Sequence, residues 1–218
     1  RAEAYDPFGG GGCSNLQFDR NQEKWISSQL SLAGTAKNCA GGATPWNSWL
    51  SCEETVDDPQ TELEDGVNNT FTQPHGFVFD VPLGGVTGQP KPIESLGRFV
   101  HEAVAIDPET GTVYLTEDRG TAGLYRMVPE VPGDLHRGGK FQMLACERTS
   151  DVRKGVGGEY AAGEYSVDVH WVDIDDRLQA HSPGTADCLG VYSQGKAKGG
   201  LTFARLEGCC VHGGHVFV

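Results

Sequence analysis

Three residues separated by long stretches of chain, Cys39, Glu102 and Glu207, each open a short segment of the same kind. In the first two copies an acidic pair follows 14 to 16 residues later: Glu53-Glu54 after Cys39, and Glu117-Asp118 after Glu102. If the copies are structurally equivalent, a thiolate and several carboxylates meet in one place. That is a mixed ligand set, with a soft sulfur suited to an iron-like transition metal and hard oxygens suited to Ca2+. The competing reading of each carboxylate is a strand-end group accepting backbone hydrogen bonds. The repetition favours metal for the set of Cys39, Glu53, Glu54, Glu102, Glu117, Asp118 and Glu207. Arg205 precedes Glu207 by two residues. On a strand the two share a face, because side chains alternate with period two. Its guanidinium offers a bidentate fork to a phosphate, and an ion pair with Glu207 is the alternative. Arg205 and Cys39 are the catalytic candidates; His75 and His101 are minor ones.

The elements that must bring these residues together are short and β-rich. Glu102 to Ile106, a turn, and Gly111 to Leu115 are echoed by Glu207 to Val211, a turn, and Gly214 to Phe217. A more divergent copy runs from Cys39 through Trp49 to Glu54. Repeated hairpins with one end directed at a common axis are the pattern of propeller blades. Strands are predicted over Trp49 to Cys52, Phe77 to Val81, Ala103 to Ile106, Thr112 to Thr116, Leu124 to Val128, Phe141 to Ala145, His170 to Ile174 and Val216 to Val218. Asp107-Pro108-Glu109-Thr110-Gly111 supplies a hairpin turn. Glu147 to Ala161 and Arg177 to Gly200 read as loops, and Tyr5 to Cys13, with four consecutive glycines, as a linker or loop. Trp46 and Trp49 are expected in core packing.

Composition agrees with an all-β chain. There are 31 glycines and 11 prolines against two methionines in 218 residues, with 38% hydrophobic content. Seventeen basic residues face 30 acidic ones, a formal charge of −13 that argues against nucleic acid as a partner. No stretch is apolar for the roughly 20 residues that span a bilayer, so no membrane insertion is expected. The seven cysteines form no Cys-x-x-Cys pair, which makes structural zinc unattractive and leaves at least one thiol unpaired.

Asn38-Cys39-Ala40-Gly41-Gly42-Ala43-Thr44-Pro45-Trp46 with Trp49-Leu50-Ser51-Cys52-Glu53-Glu54 resembles the signature of PhoX-type alkaline phosphatases. Gly97 to Ala103, Tyr114 to Asp118 and Phe203 to Gly208 extend the resemblance. It implies a glycine-rich segment at 1–29 and a partial β-propeller at 30–218, about three to four blades of a six-bladed ring. The later blades, with further acidic calcium ligands, are expected beyond residue 218. It also implies a secreted or periplasmic, monomeric enzyme that hydrolyses small-molecule phosphate esters with iron and calcium in the propeller channel. By the same resemblance Cys39 is the iron-bridging thiolate, Glu102 and Glu207 bind metal, and Arg205 contacts the phosphate. The remaining acidic residues match motif positions less closely. Two alternatives stand beside it: another metal-dependent propeller hydrolase (phytase, phosphotriesterase or lactonase), and a non-catalytic propeller braced by calcium. The doublet Cys209-Cys210, so close to Glu207, is the reason to keep the last.

Overall fold

The computed structural model describes residues 3–59, 69–154, 166–180 and 190–218. Twelve strands and one short helix make up the described chain: β1 (Gly11–Asp19), β2 (Lys24–Thr35), β3 (Asn38–Ala43), β4 (Ser48–Glu53), β5 (Val78–Pro82), β6 (His101–Ile106), β7 (Val113–Glu117), β8 (Leu124–Pro129), β9 (Gly139–Ala145), β10 (His170–Asp173), α1 (Val191–Ala197), β11 (Cys210–His212) and β12 (His215–Phe217). All pairings between them are antiparallel. They form four sheets, ordered β1-β2, β3-β4-β5, β10-β9-β8-β7-β6 and β11-β12. The second and third are meandering blades, and the sheets do not close into a ring among the described residues.

Every strand predicted from the sequence is present, with ends shifted by one or two residues. The turn after β6 forms as its residues dictate. Asp107 accepts the Glu109 N–H and the Thr110 hydroxyl, and Gly111 takes a φ of 74° that a side chain would strain. Strand β6 is buried along its whole length, because the inner strand of a blade has neighbours on both faces. The main core lies between the two blades and behind the second, with Leu50, Val78, Phe99, Leu115, Tyr125 and Phe141 at its centre. At the seam β3 lies directly on β6. A Cβ on Gly42 would collide with the Val104 carbonyl oxygen, so only glycine permits that approach.

Three local expectations are corrected. The glycine run is not a free linker: Tyr5 and Asp6 donate their N–H groups to Ala33 and Gly34, and β1 begins at Gly11. The boundary drawn after residue 29 falls inside β2. The segment 177–200 carries α1, whose Val191 and Tyr192 are buried against the second blade. Trp49 is 44% exposed rather than core, whereas Trp46 packs on the core and donates to Asp80. Cys188 and parts of both predicted loops lie outside the described residues; the other six cysteines are free.

Candidate metal centre

Asn38 faces Glu53 in the β3–β4 ladder, and His101 faces Glu117 in the β6–β7 ladder. In both hairpins the register slips immediately afterwards, before Gly41 and before Val104. A bulge at this point bends the strand and re-aims the residue it carries. Cys39 and Glu102 are those residues, each second in its strand. Glu54 and Asp118 follow the last residue of the returning strand, β4 or β7. The equivalence suggested by sequence spacing is therefore an equivalence of ladder position.

These positions converge. The Cys39 Sγ lies 3.5 Å from Glu102 Oε1. The ligand atoms of Cys39, Glu54 and Glu102 all lie within 4.8 Å of one another, and so do those of Glu102, Asp118 and Glu207. Glu102 belongs to both groups and stands between two cation-sized positions. Glu207 is in no strand: residues 205–209 run irregularly ahead of β11. Thr116 holds this segment by donating its hydroxyl to the Glu207 carbonyl while accepting the Ala103 N–H. Arg205 therefore does not share a strand face with Glu207. Its backbone sits in the left-handed region, φ 55°, and its N–H donates to the Arg119 carbonyl. The guanidinium nevertheless reaches the centre, 3.1 Å from Asp118 Oδ2 and 3.8 Å from Glu207 Oε1, with 66% of the side chain open to solvent.

Glu53 and Glu117 are in neither group. Strand alternation turns them to the opposite side from their neighbours Glu54 and Asp118. Glu53 accepts hydrogen bonds from the N–H groups of Ala36, Gly76 and Phe77 and contacts His75 Nδ1 at 2.7 Å. Glu117 accepts from the Gly123 N–H and the Tyr125 hydroxyl. Both histidines are fully buried. His75 is held by Glu53, with Asp6 at 3.6 Å; His101 donates from Nε2 to the Gly97 carbonyl and stacks on Phe99.

The electrostatics are those of an anionic cluster. Desolvation by the surrounding walls, together with the Glu102 and Glu54 carboxylates, pushes the Cys39 thiol up to about 11. Burial and the neighbouring Asp118 raise Glu54; burial, partly opposed by the Cys39 hydrogen bond and reinforced by Glu54, raises Glu102. Asp118 Oδ1 is buried without a hydrogen-bond partner. A thiol and four carboxylates, one of them with an orphaned oxygen, fit a pair of cations, with sulfur at one end and oxygen only at the other. A bound cation would hold the thiol as thiolate and relieve the repulsion.

Residues 9–218 match the family model described as alkaline phosphatase PhoX. The chain belongs to the PhoX family. Among solved structures, the PhoX of Pseudomonas fluorescens in complex with vanadate, a transition-state analogue, matches with a TM-score of 0.54 at 20% identity. The match covers 99% of this chain and 43% of that one, so the chain spans less than half the length of this PhoX structure. At this identity the likeness establishes the fold, a PhoX propeller. A search of curated proteins finds no match. Within the PhoX frame, sequence reading missed Thr116, and it missed Arg119, whose backbone oxygen anchors Arg205 and whose Nη1 is buried without a hydrogen-bond partner. Adjacency of Arg119 to the Glu117-Asp118 pair was the available signal for one; Thr116 lies within the Tyr114 to Asp118 segment that carries the resemblance, but its contact with Glu207 spans 91 residues and has no local signature.

Proposed function

We propose that this chain contributes the metal centre of a phosphomonoester hydrolase, with a transition metal such as Fe3+ toward Cys39 and Ca2+ toward Glu102, Asp118 and Glu207. One observation carries the reading: two hairpins, β3–β4 and β6–β7, and the irregular segment ahead of β11 bring a thiol, four carboxylates and a solvent-open arginine together. Membership in the PhoX family supports it.

When bound, the cations supply Lewis-acid polarisation of the phosphoryl group. The protein's own groups do the rest. Cys39 gives up its proton on metal uptake and holds the softer ion. Glu102, common to both groups, fixes the spacing of the two positions. Asp118 and Glu207 hold Arg205, whose side chain remains largely open to solvent. Negative charge building on the equatorial oxygens of the transferring phosphoryl group strengthens hydrogen bonds from the guanidinium, so the arginine contributes most in the transition state. A small phosphate ester suits this open rim, and a −13 chain without bound cations would repel it. No described helix is long and apolar enough to cross a membrane, and export, as the family resemblance implies, places the enzyme where external phosphate esters are met.

The test is elemental analysis of the protein purified without chelator, paired with a phosphomonoester assay before and after chelation. Iron and calcium in near-integral amounts, with turnover lost on chelation and restored by the metals, are expected. A metal-free protein, or turnover indifferent to chelation, overturns the assignment.

A further inference from the structure

Glu53 and Glu117 occupy matching places in two blades, opposite Asn38 and His101 respectively. Each is the last residue of the second strand of its blade, β4 or β7, and each is buried, at 0% and 1% exposure. Their partners match as well. Glu53 takes the N–H groups of Gly76 and Phe77, which immediately precede β5; Glu117 takes the Gly123 N–H, immediately before β8, and the Tyr125 hydroxyl within it. In each blade, therefore, a carboxylate at the end of one strand clasps the start of the next. The connecting loop is tied at its base, and the residue that leaves the clasp is Glu54 in one blade and Asp118 in the other. Glu53 is additionally secured by the Ala36 N–H and by His75.

Both oxygens of Glu53 are taken up by hydrogen bonds, Oε2 of Glu117 accepts both of its own, and neither carboxylate joins a ligand group. What each does have is control over the direction of the next peptide. Strand alternation sends residue i + 1 to the other side, so fixing the first acid of the pair aims the second at the centre. We propose that Glu53 and Glu117 are positioning residues, a device repeated in two blades that orients Glu54 and Asp118 toward the metals. The proposal rests on the metal-centre reading above and assigns the two acids of each pair different work. Supports of this kind behind a ligand typically alter metal affinity by about 10–100-fold.

The experiment is Ca2+ binding, by titration calorimetry and chelator competition, to the purified protein and to the variants Tyr125→Phe, Glu117→Gln and Asp118→Asn. Tyr125→Phe removes only the hydroxyl that Glu117 accepts and leaves the ring in the core, so it remains informative if Glu117→Gln fails to fold. The expected result is a roughly 10-fold or greater loss of Ca2+ affinity in Tyr125→Phe and Glu117→Gln with wild-type stoichiometry at saturation, and loss of a binding site in Asp118→Asn. Wild-type affinity in Tyr125→Phe, with Asp118→Asn still losing a site, overturns the positioning role and leaves the metal centre standing. No Ca2+ binding by the wild type overturns both.

Discussion

Cys39 Sγ and Glu102 Oε1 sit 3.5 Å apart although 63 residues separate them and they belong to different sheets. A thiol facing a carboxylate at this distance donates a hydrogen bond to it and keeps its proton. The contact is stable only while that proton remains, and both partners are held above their ordinary pKa. A cation replacing the proton converts a repulsive pair into a ligand pair.

Metal uptake at neutral pH should consequently release the Cys39 proton. Its pKa of about 11 means the thiol is protonated across the working range, so apparent affinity rises with pH until that value is reached. Calorimetry in buffers of different ionisation enthalpy measures the release. Cys39→Ser is expected to lose iron, keep calcium, and release about one proton fewer.

Arg205 carries charge to the centre from an exposed position, so it can be removed without disturbing the core. Arg205→Ala is expected to lower phosphomonoester kcat/KM by about 100-fold or more, with a change in stability within about 0.5 kcal/mol. Arg205→Lys should recover only part of the rate, because an ammonium lacks the planar fork. Steady-state kinetics and denaturant titration separate the two effects.

The seam between the blades depends on Gly42. Gly42→Ala drives a methyl group into the Val104 carbonyl and should destabilise the fold by about 1–3 kcal/mol. Because β3 and β6 carry Cys39 and Glu102, the same variant should weaken metal binding; paired unfolding and metal-content measurements test this.

His101 is buried beside Phe99, and burial drives its pKa down to about 3. The folded protein holds it neutral while the unfolded chain protonates it near 6.5. Its contribution to stability is therefore complete above about pH 6.5 and is lost progressively as pH falls toward 3, at up to about 1.4 kcal/mol per pH unit. Stability followed from pH 7 to 4 should fall less steeply in His101→Gln than in wild type.

Much of this was legible along the chain. The predicted strands are all present because period-two patterning and turn chemistry are local properties, and the Cys39, Glu102 and Glu207 echoes located the hairpins whose ends meet. The linker-or-loop reading of residues 5–13 holds as a loop through Gly10 and fails from Gly11 for a nonlocal reason: Gly11 and Gly12 pair with β2, and Asp6 ties the loop by accepting the N–H groups of Phe8, Thr72 and Gln73. Arg205 was placed on a strand and lies on a bend. It reaches the centre all the same because Arg119 and Thr116, from the second blade, hold the segment that carries it.

Sequence by itself determined the family, the β architecture, and the residue types gathered at the centre, since each follows from motif spacing and alternation within a few dozen residues. Only the tertiary structure decided which acid of the pairs Glu53-Glu54 and Glu117-Asp118 faces the cluster and which is buried behind it. Adjacent carboxylates are chemically alike on paper. Which one turns outward depends on donors such as Gly76 and Tyr125 arriving from the next strand, and on a bulge that sets the phase of the ladder.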